Sequence, residues 1–211
     1  MADSSRQAIL NRIYAATRAN SNASGDLPRN YIRRGALDPA ARLRLMSERL
    51  HEYNADVVES FPDDLAATIT RQLIASGRHI FVAPPALPAE WLSPDVSWKL
   101  DTGLSHAEIE TCEGVVTASS AGIADSGTIV LHHSGSEGRR VITLLPDFHL
   151  CVLRASQIVE TLPEYFTRCA EPPRLATYIS GPSATADIEM TRIKGVHGPR
   201  FLSVIIVRDD N

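Results

Sequence analysis

The chain has 211 residues, of which 44% are hydrophobic, 22% charged and 6% aromatic, and a formal net charge of −4. This is enough apolar material for a buried core in a domain of ordinary size, which excludes a chain disordered throughout. Apolar runs such as Phe201–Val207 fall far short of the ~20 residues a membrane span requires, and the acidic balance lacks the basic footprint of a nucleic-acid binder. The opening Met-Ala-Asp-Ser-Ser-Arg contains no apolar leader, so the expected location is the cytoplasm.

In chain order, Ser5–Ala19 reads as a short amphipathic helix with Ile9, Leu10, Ile13 and Tyr14 on one side. A polar, Gly/Pro-punctuated linker follows over Asn20–Asn30. A second helix begins with Asp38 as N-cap and Pro39 in the first turn, and Leu43, Met46, Leu50 and Tyr53 recur at helical spacing. Residues 1–50 hold nine Arg and four acids, so a basic N-terminal quarter precedes an acidic body. Such a segment either packs on its own body or docks on a partner. We therefore divide the chain into an N-terminal helical arm, 1–54, and an α/β domain, 55–211.

Within the second region, strands are expected at Ala55–Glu59, His79–Ala83, Gly114–Ala118, Thr128–His132, His149–Arg154, Leu175–Ile179 and Phe201–Val207. Helices are expected at Pro62–Ser76, Ser105–Thr111 and Ser156–Cys169. Short, continuously apolar strands separated by helices imply a mainly parallel sheet covered on both faces, with ligands beyond the carboxyl ends of the strands.

Three segments can carry chemistry. In Ile179-Ser-Gly-Pro-Ser-Ala-Thr-Ala-Asp-Ile-Glu189, a strand end, a Gly181-Pro182 turn and a helix start would present Ser183 and Thr185 to an anion. The alternative is that Ser183 merely caps that helix while Asp187 complements its dipole. In Gly122-Ile-Ala-Asp-Ser-Gly-Thr128, Gly127 permits close backbone approach, Thr128 offers a hydroxyl, and Asp125 can serve as base, nucleophile or acceptor. A tight turn with an Asx bond fits the same residues. In Gly195-Val-His-Gly-Pro199, His197 is either a catalytic imidazole or a structural hydrogen bonder. The candidate set is thus Asp125 and His197 for catalysis, with Gly127, Thr128, Gly181, Ser183, Thr185 and Asp187 for ligand binding.

Other features read as structural. Adjacent histidines on a strand, His132 and His133, should point to opposite faces and not share a ligand. Arg139-Arg140 reads as a solvated hairpin edge, with anion binding the lesser option, and Trp91 and Trp98 as packing beneath the Pro-rich loop. Cys112, Cys151 and Cys169 form no metal-binding spacing, so no metal site is expected, and Cys151 reads as a buried reduced thiol.

Taken together, Ala124-Asp-Ser-Gly-Thr128, Leu144-Leu-Pro146 with His149, Ser180-Gly-Pro-Ser-Ala-Thr-Ala-Asp-Ile-Glu189 and Gly195-Val-His-Gly-Pro199 resemble the lactate-utilisation domain family, in its protein C branch. The chain departs from the family pattern at Ser126, where Thr is common, and at Asp125, where Glu is frequent. The resemblance implies a Rossmann-like α/β fold, with a mainly parallel sheet and flanking helices, related to the coenzyme A transferase and ribose-5-phosphate isomerase group. It also implies a part in oxidising L-lactate to pyruvate beside partner proteins that carry iron–sulfur clusters. This chain would be the subunit without a cofactor of its own, binding a small carboxylate or phosphate-containing ligand. The alternative is a stand-alone transferase or isomerase acting on a phosphorylated or coenzyme A-linked metabolite, and whether the chain is itself catalytic stays open.

Overall fold

The computed structural model describes residues 2–18, 30, 32–169, 171, 173–181 and 198–209. The described chain divides into two compact units, residues 1–32 and 33–211. Helix α1 (Ala2–Arg18) belongs to the first.

The second unit opens with α2 (Pro39–Glu52), whose start is set by Asp38: its carboxylate accepts from Ala41 N at 2.7 Å, beside a proline in the first turn. Then follow β1 (Asp56–Ser60), α3 (Leu65–Ala75), β2 (Ile80–Ala83), β3 (Ser97–Leu100), α4 (His106–Glu110), β4 (Gly114–Ala118), β5 (Ala121–Ile123), β6 (Thr128–Leu131), β7 (Phe148–Arg154), β8 (Ile158–Val159), α5 (Leu162–Arg168), β9 (Thr177–Ile179) and β10 (Phe201–Val207). Six strands make a wholly parallel sheet in the order β1-β10-β7-β4-β2-β3. The other four form a small mixed sheet, β8-β5-β6-β9, in which β6 runs antiparallel to both its neighbours.

Alternation along the central strands explains the layering. On β7 and β10, Phe148, Leu150, Val152, Ile205 and Val207 meet Leu65, Ile69 and Leu73 of α3 on one face. Cys151, Leu153, Val204 and Ile206 point the other way, into Leu43, Met46 and Leu50 of α2 and Ile129 and Leu131 of β6. Helix α2, grouped with the arm on sequence pattern, therefore packs on the central strands. The central strands β4, β7 and β10, so enclosed, are buried along nearly their whole length, which is why they read as largely apolar runs rather than as alternating ones.

The mixed α/β class and the parallel sheet agree with the sequence reading, and three local expectations do not. The helix expected over 156–169 is only α5, because Ile158 and Val159 pair with Gly122 and Ile123 first. Thr161 then caps the helix reciprocally with Glu164. Strand β5 forms between β4 and β6, where no strand is expected, and the Pro-rich stretch contains β3, where Trp98 lies 5.8 Å from the Phe81 ring and donates to Ser93 O at 2.8 Å.

Candidate functional site

The turn between β5 and β6 holds most of the sequence-nominated residues that are described. Asp125 N donates to Glu160 O at 3.0 Å, and its side chain is exposed. Ser126 Oγ and Thr128 Oγ1 lie 2.7 Å apart, and Thr128 Oγ1 donates to Ser180 Oγ at 2.8 Å. The Tyr53 hydroxyl, one residue beyond α2, donates to Ser126 O. Gly127 has φ +62°, and a β-carbon there would fall 2.6 Å from Arg49 Cβ; Gly181, at φ +65°, faces the Tyr53 ring. The structure thus brings Gly127, Thr128 and Gly181 together, and the close backbone approach that Gly127 permits is to α2. Ser183, Thr185, Asp187 and His197 lie outside the described residues.

About 13 Å away, at the other end of β6, is a cavity of about 520 Å³. It is lined by His132, His133, Ser134, Arg139, Arg140, Pro173, Arg174 and Leu175. His132 and His133 both line this cavity, and their rings reach opposite faces of the small sheet as alternation predicts: His132 meets Tyr165, which packs with Val130 and Tyr178, whereas His133 meets Thr177, the pairing partner of Leu131. Regular extension stops at Leu131, and His133 takes the left-handed conformation, φ +56°. Glu137 sits beneath this bend, 5% exposed, and accepts from the backbone N–H of His132, from that of His133 at 3.0 Å, and from the Ser120 hydroxyl.

Each imidazole is held by a second element. His132 Nε2 lies 2.8 Å from the hydroxyl of Tyr165 on α5, and burial pushes that hydroxyl's pKa up. His133 Nδ1 donates to Gly138 O at 3.2 Å, since a carbonyl can only accept, and Nε2 meets Thr177 Oγ1 of β9 at 2.7 Å. Gly138 is at φ +69°, where a β-carbon would strike Ile142 Cδ1 at 2.6 Å and Pro84 Cγ at 2.9 Å. Burial, assisted by the Arg140 cation, holds the His133 pKa below its ordinary range, so this imidazole is neutral at pH 7.

The arginines differ in their partners. Arg139 Nε donates to Asp101 Oδ2 at 2.8 Å, and its guanidinium also reaches Leu104 O at 2.8 Å; this pairing keeps the buried Asp101 carboxyl below the usual carboxylate range. Arg140 donates to Thr143 O at 3.1 Å and Thr143 Oγ1 at 3.2 Å, and among the described residues no carboxylate lies within ion-pair distance of it. Burial lowers its pKa, yet a guanidinium stays charged. The pair read as a solvated hairpin edge is therefore part of a cationic cavity wall, one member neutralised and the other not. What the sequence did show is the Gly135/Gly138 punctuation after His133, a turn signal that ends strand alternation.

Behind the wall, His149 on β7 is 1% exposed, with Nε2 2.8 Å from Thr117 Oγ1 of β4. Burial, with the charges of Arg140 and His133 adding to it, pulls its pKa down to about 3. Next to it the Cys151 thiol is pushed up to about 12 by burial, so it is no nucleophile. Among the described residues no group of three or more His, Cys, Asp or Glu is placed to hold a metal ion, and no helix is long and apolar enough to cross a membrane.

The family model of the LUD domain matches residues 29–207. "Lactate utilization protein C" of Deinococcus radiodurans is 36% identical over 202 residues, covering 94% of this chain and 92% of that protein. A protein of the same name from Geobacillus thermodenitrificans is 26% identical over 79% of this chain and 78% of its own length. Among solved structures, a DUF162 family protein from D. radiodurans superposes with a TM-score of 0.71 at 35% identity, covering 82% of this chain and 99% of that one. Matched along nearly the whole of its α/β unit, the chain belongs to the LUD domain family.

Proposed function

We propose that this chain serves lactate utilization as the cluster-free subunit of an iron–sulfur L-lactate oxidation system, and that the His/Arg cavity receives the small carboxylate. Two supports are independent: the relatives that match it are named for lactate utilization, and the half-buried Arg140 guanidinium faces the cavity without a carboxylate among the described residues. That second observation carries the reading. A buried cation left without a counter-charge is costly, and a ligand carboxylate removes the cost.

In this reading Arg140 would pair with the lactate carboxylate and the His133 wall would orient it. The two-electron oxidant would be supplied by the partner proteins, whose clusters those proteins would hold. The cavity exceeds what a three-carbon acid fills. Its size favours, as a second reading, a stand-alone enzyme acting on a larger phosphorylated or coenzyme A-linked anion.

The two readings separate in cells grown on L-lactate. Cross-linked and captured through a tag, the chain should bring down an iron–sulfur protein, and lactate-dependent dye reduction should vanish when this chain is removed. A chain recovered alone and inert toward lactate contradicts the subunit reading.

A further inference from the structure

His133 occupies a backbone region that a histidine adopts at a cost. Something must hold it there, and a single buried group reaches every atom involved. The Glu137 carboxylate accepts the N–H groups of both residues of the bend, and Ser120 Oγ–H from the end of β4 supplies a third donor. The loop returning to Glu137 is tied by Glu137 N to Ser134 O at 2.9 Å. No cation is paired with this carboxylate among the described residues, so its satisfaction comes wholly from that bend and the Ser120 hydroxyl.

We propose that Glu137 is the positioning residue of the cavity: its buried carboxylate holds His133 left-handed and so keeps that imidazole on Gly138 O and Thr177 in the cavity wall. The ligand role of that site rests on the function proposed above; the positioning role does not. Were the carboxylate absent, two backbone N–H groups would be left without acceptors in the interior, and extension past Leu131 would relieve them. His133 would then leave Gly138 O and Thr177.

The test is ¹⁵N NMR of the full chain labelled at histidine. In the wild type, neutral His133 should show the tautomer protonated at Nδ1, because Gly138 O accepts from it. In Glu137→Gln, which keeps the shape but puts an NH₂ against one of the three donors, that signature should be lost. Binding of L-lactate or pyruvate, followed on the same signals, should weaken about tenfold. If Glu137→Gln does not fold, Glu137→Asp carries the test, since its carboxylate is one methylene too short to span both N–H groups. An unchanged Nδ1–H signature in a folded variant overturns the proposal, whatever the ligand does. A wild type that shows the signature, loses it in the variant, and ignores both acids leaves the positioning role standing and overturns the ligand reading alone.

Discussion

Between pH 6.5 and 3 the wild type should lose stability far faster than a His149→Gln variant. His149 is fully enclosed, and its pKa falls from the ordinary 6.5 to about 3. Above pH 6.5 the imidazole is neutral in both folded and unfolded chains, and the group contributes no slope. Below 6.5 the unfolded chain takes up the proton and the folded one refuses it, so stability is lost as pH falls toward the folded value. Each tenfold rise in proton concentration across this window costs about 1.4 kcal/mol, so the loss reaches about 3 kcal/mol by pH 4.5. His133, with its pKa also held down by burial, adds to the loss in the same direction. Gln at 149 can still bond Thr117 Oγ1 but has no proton to gain. Urea unfolding of both proteins at pH 7 and 4.5 checks this, and parallel losses would contradict it.

Arg140→Gln should weaken binding of L-lactate and pyruvate by roughly 10–100-fold, the worth of a charged hydrogen bond at a partly dehydrated site. The same variant should be no less stable than the wild type, because it removes a half-buried cation without a carboxylate partner. It should also raise the pKa of His149 and of His133, since the Arg140 charge depresses both. The acid loss described above then becomes shallower, which links the two expectations through one side chain. Arg139→Gln should behave differently. It strands Asp101, whose side chain is 1% exposed, and so costs stability first. Isothermal titration at low salt measures the affinities, and unchanged binding in Arg140→Gln would remove this residue from the site.

The parallel sheet was legible because its strands are buried on both faces: Phe148–Arg154 and Phe201–Val207 have no solvent side to mark with polar residues. The small mixed sheet was not. Ala121–Ile123 and Ile158–Val159 are too short to show a period, and both depend on other strands for their hydrogen bonds, β5 on β6 and the distant β8, and β8 on β5. Helix α2 was found from the Asp38–Pro39 start, a local signal, whereas its packing on Cys151, Leu153 and Ile206 is a long-range fact.

The candidate site divides along the same line. The Gly127 and Gly181 turns were identified because left-handed glycines announce themselves locally. The cavity is not legible in the sequence because its wall joins three separate segments, His132–Ser134, Arg139–Arg140 and Pro173–Leu175. His133 takes a conformation that Glu137, four residues on, stabilises from below. Arg139 and Arg140 look equivalent in sequence, and only the fold shows that Asp101, far back in the chain, neutralises one and leaves the other.

The most direct measurement is a titration of the wild-type chain with L-lactate and with pyruvate, observed on the imidazole signals of His132 and His133. Saturable shifts at both, together with constant signals from the exposed His79 and His106, are the expected result. Signals at His132 and His133 that stay fixed while either acid binds, or while neither does, would contradict a carboxylate site in this cavity.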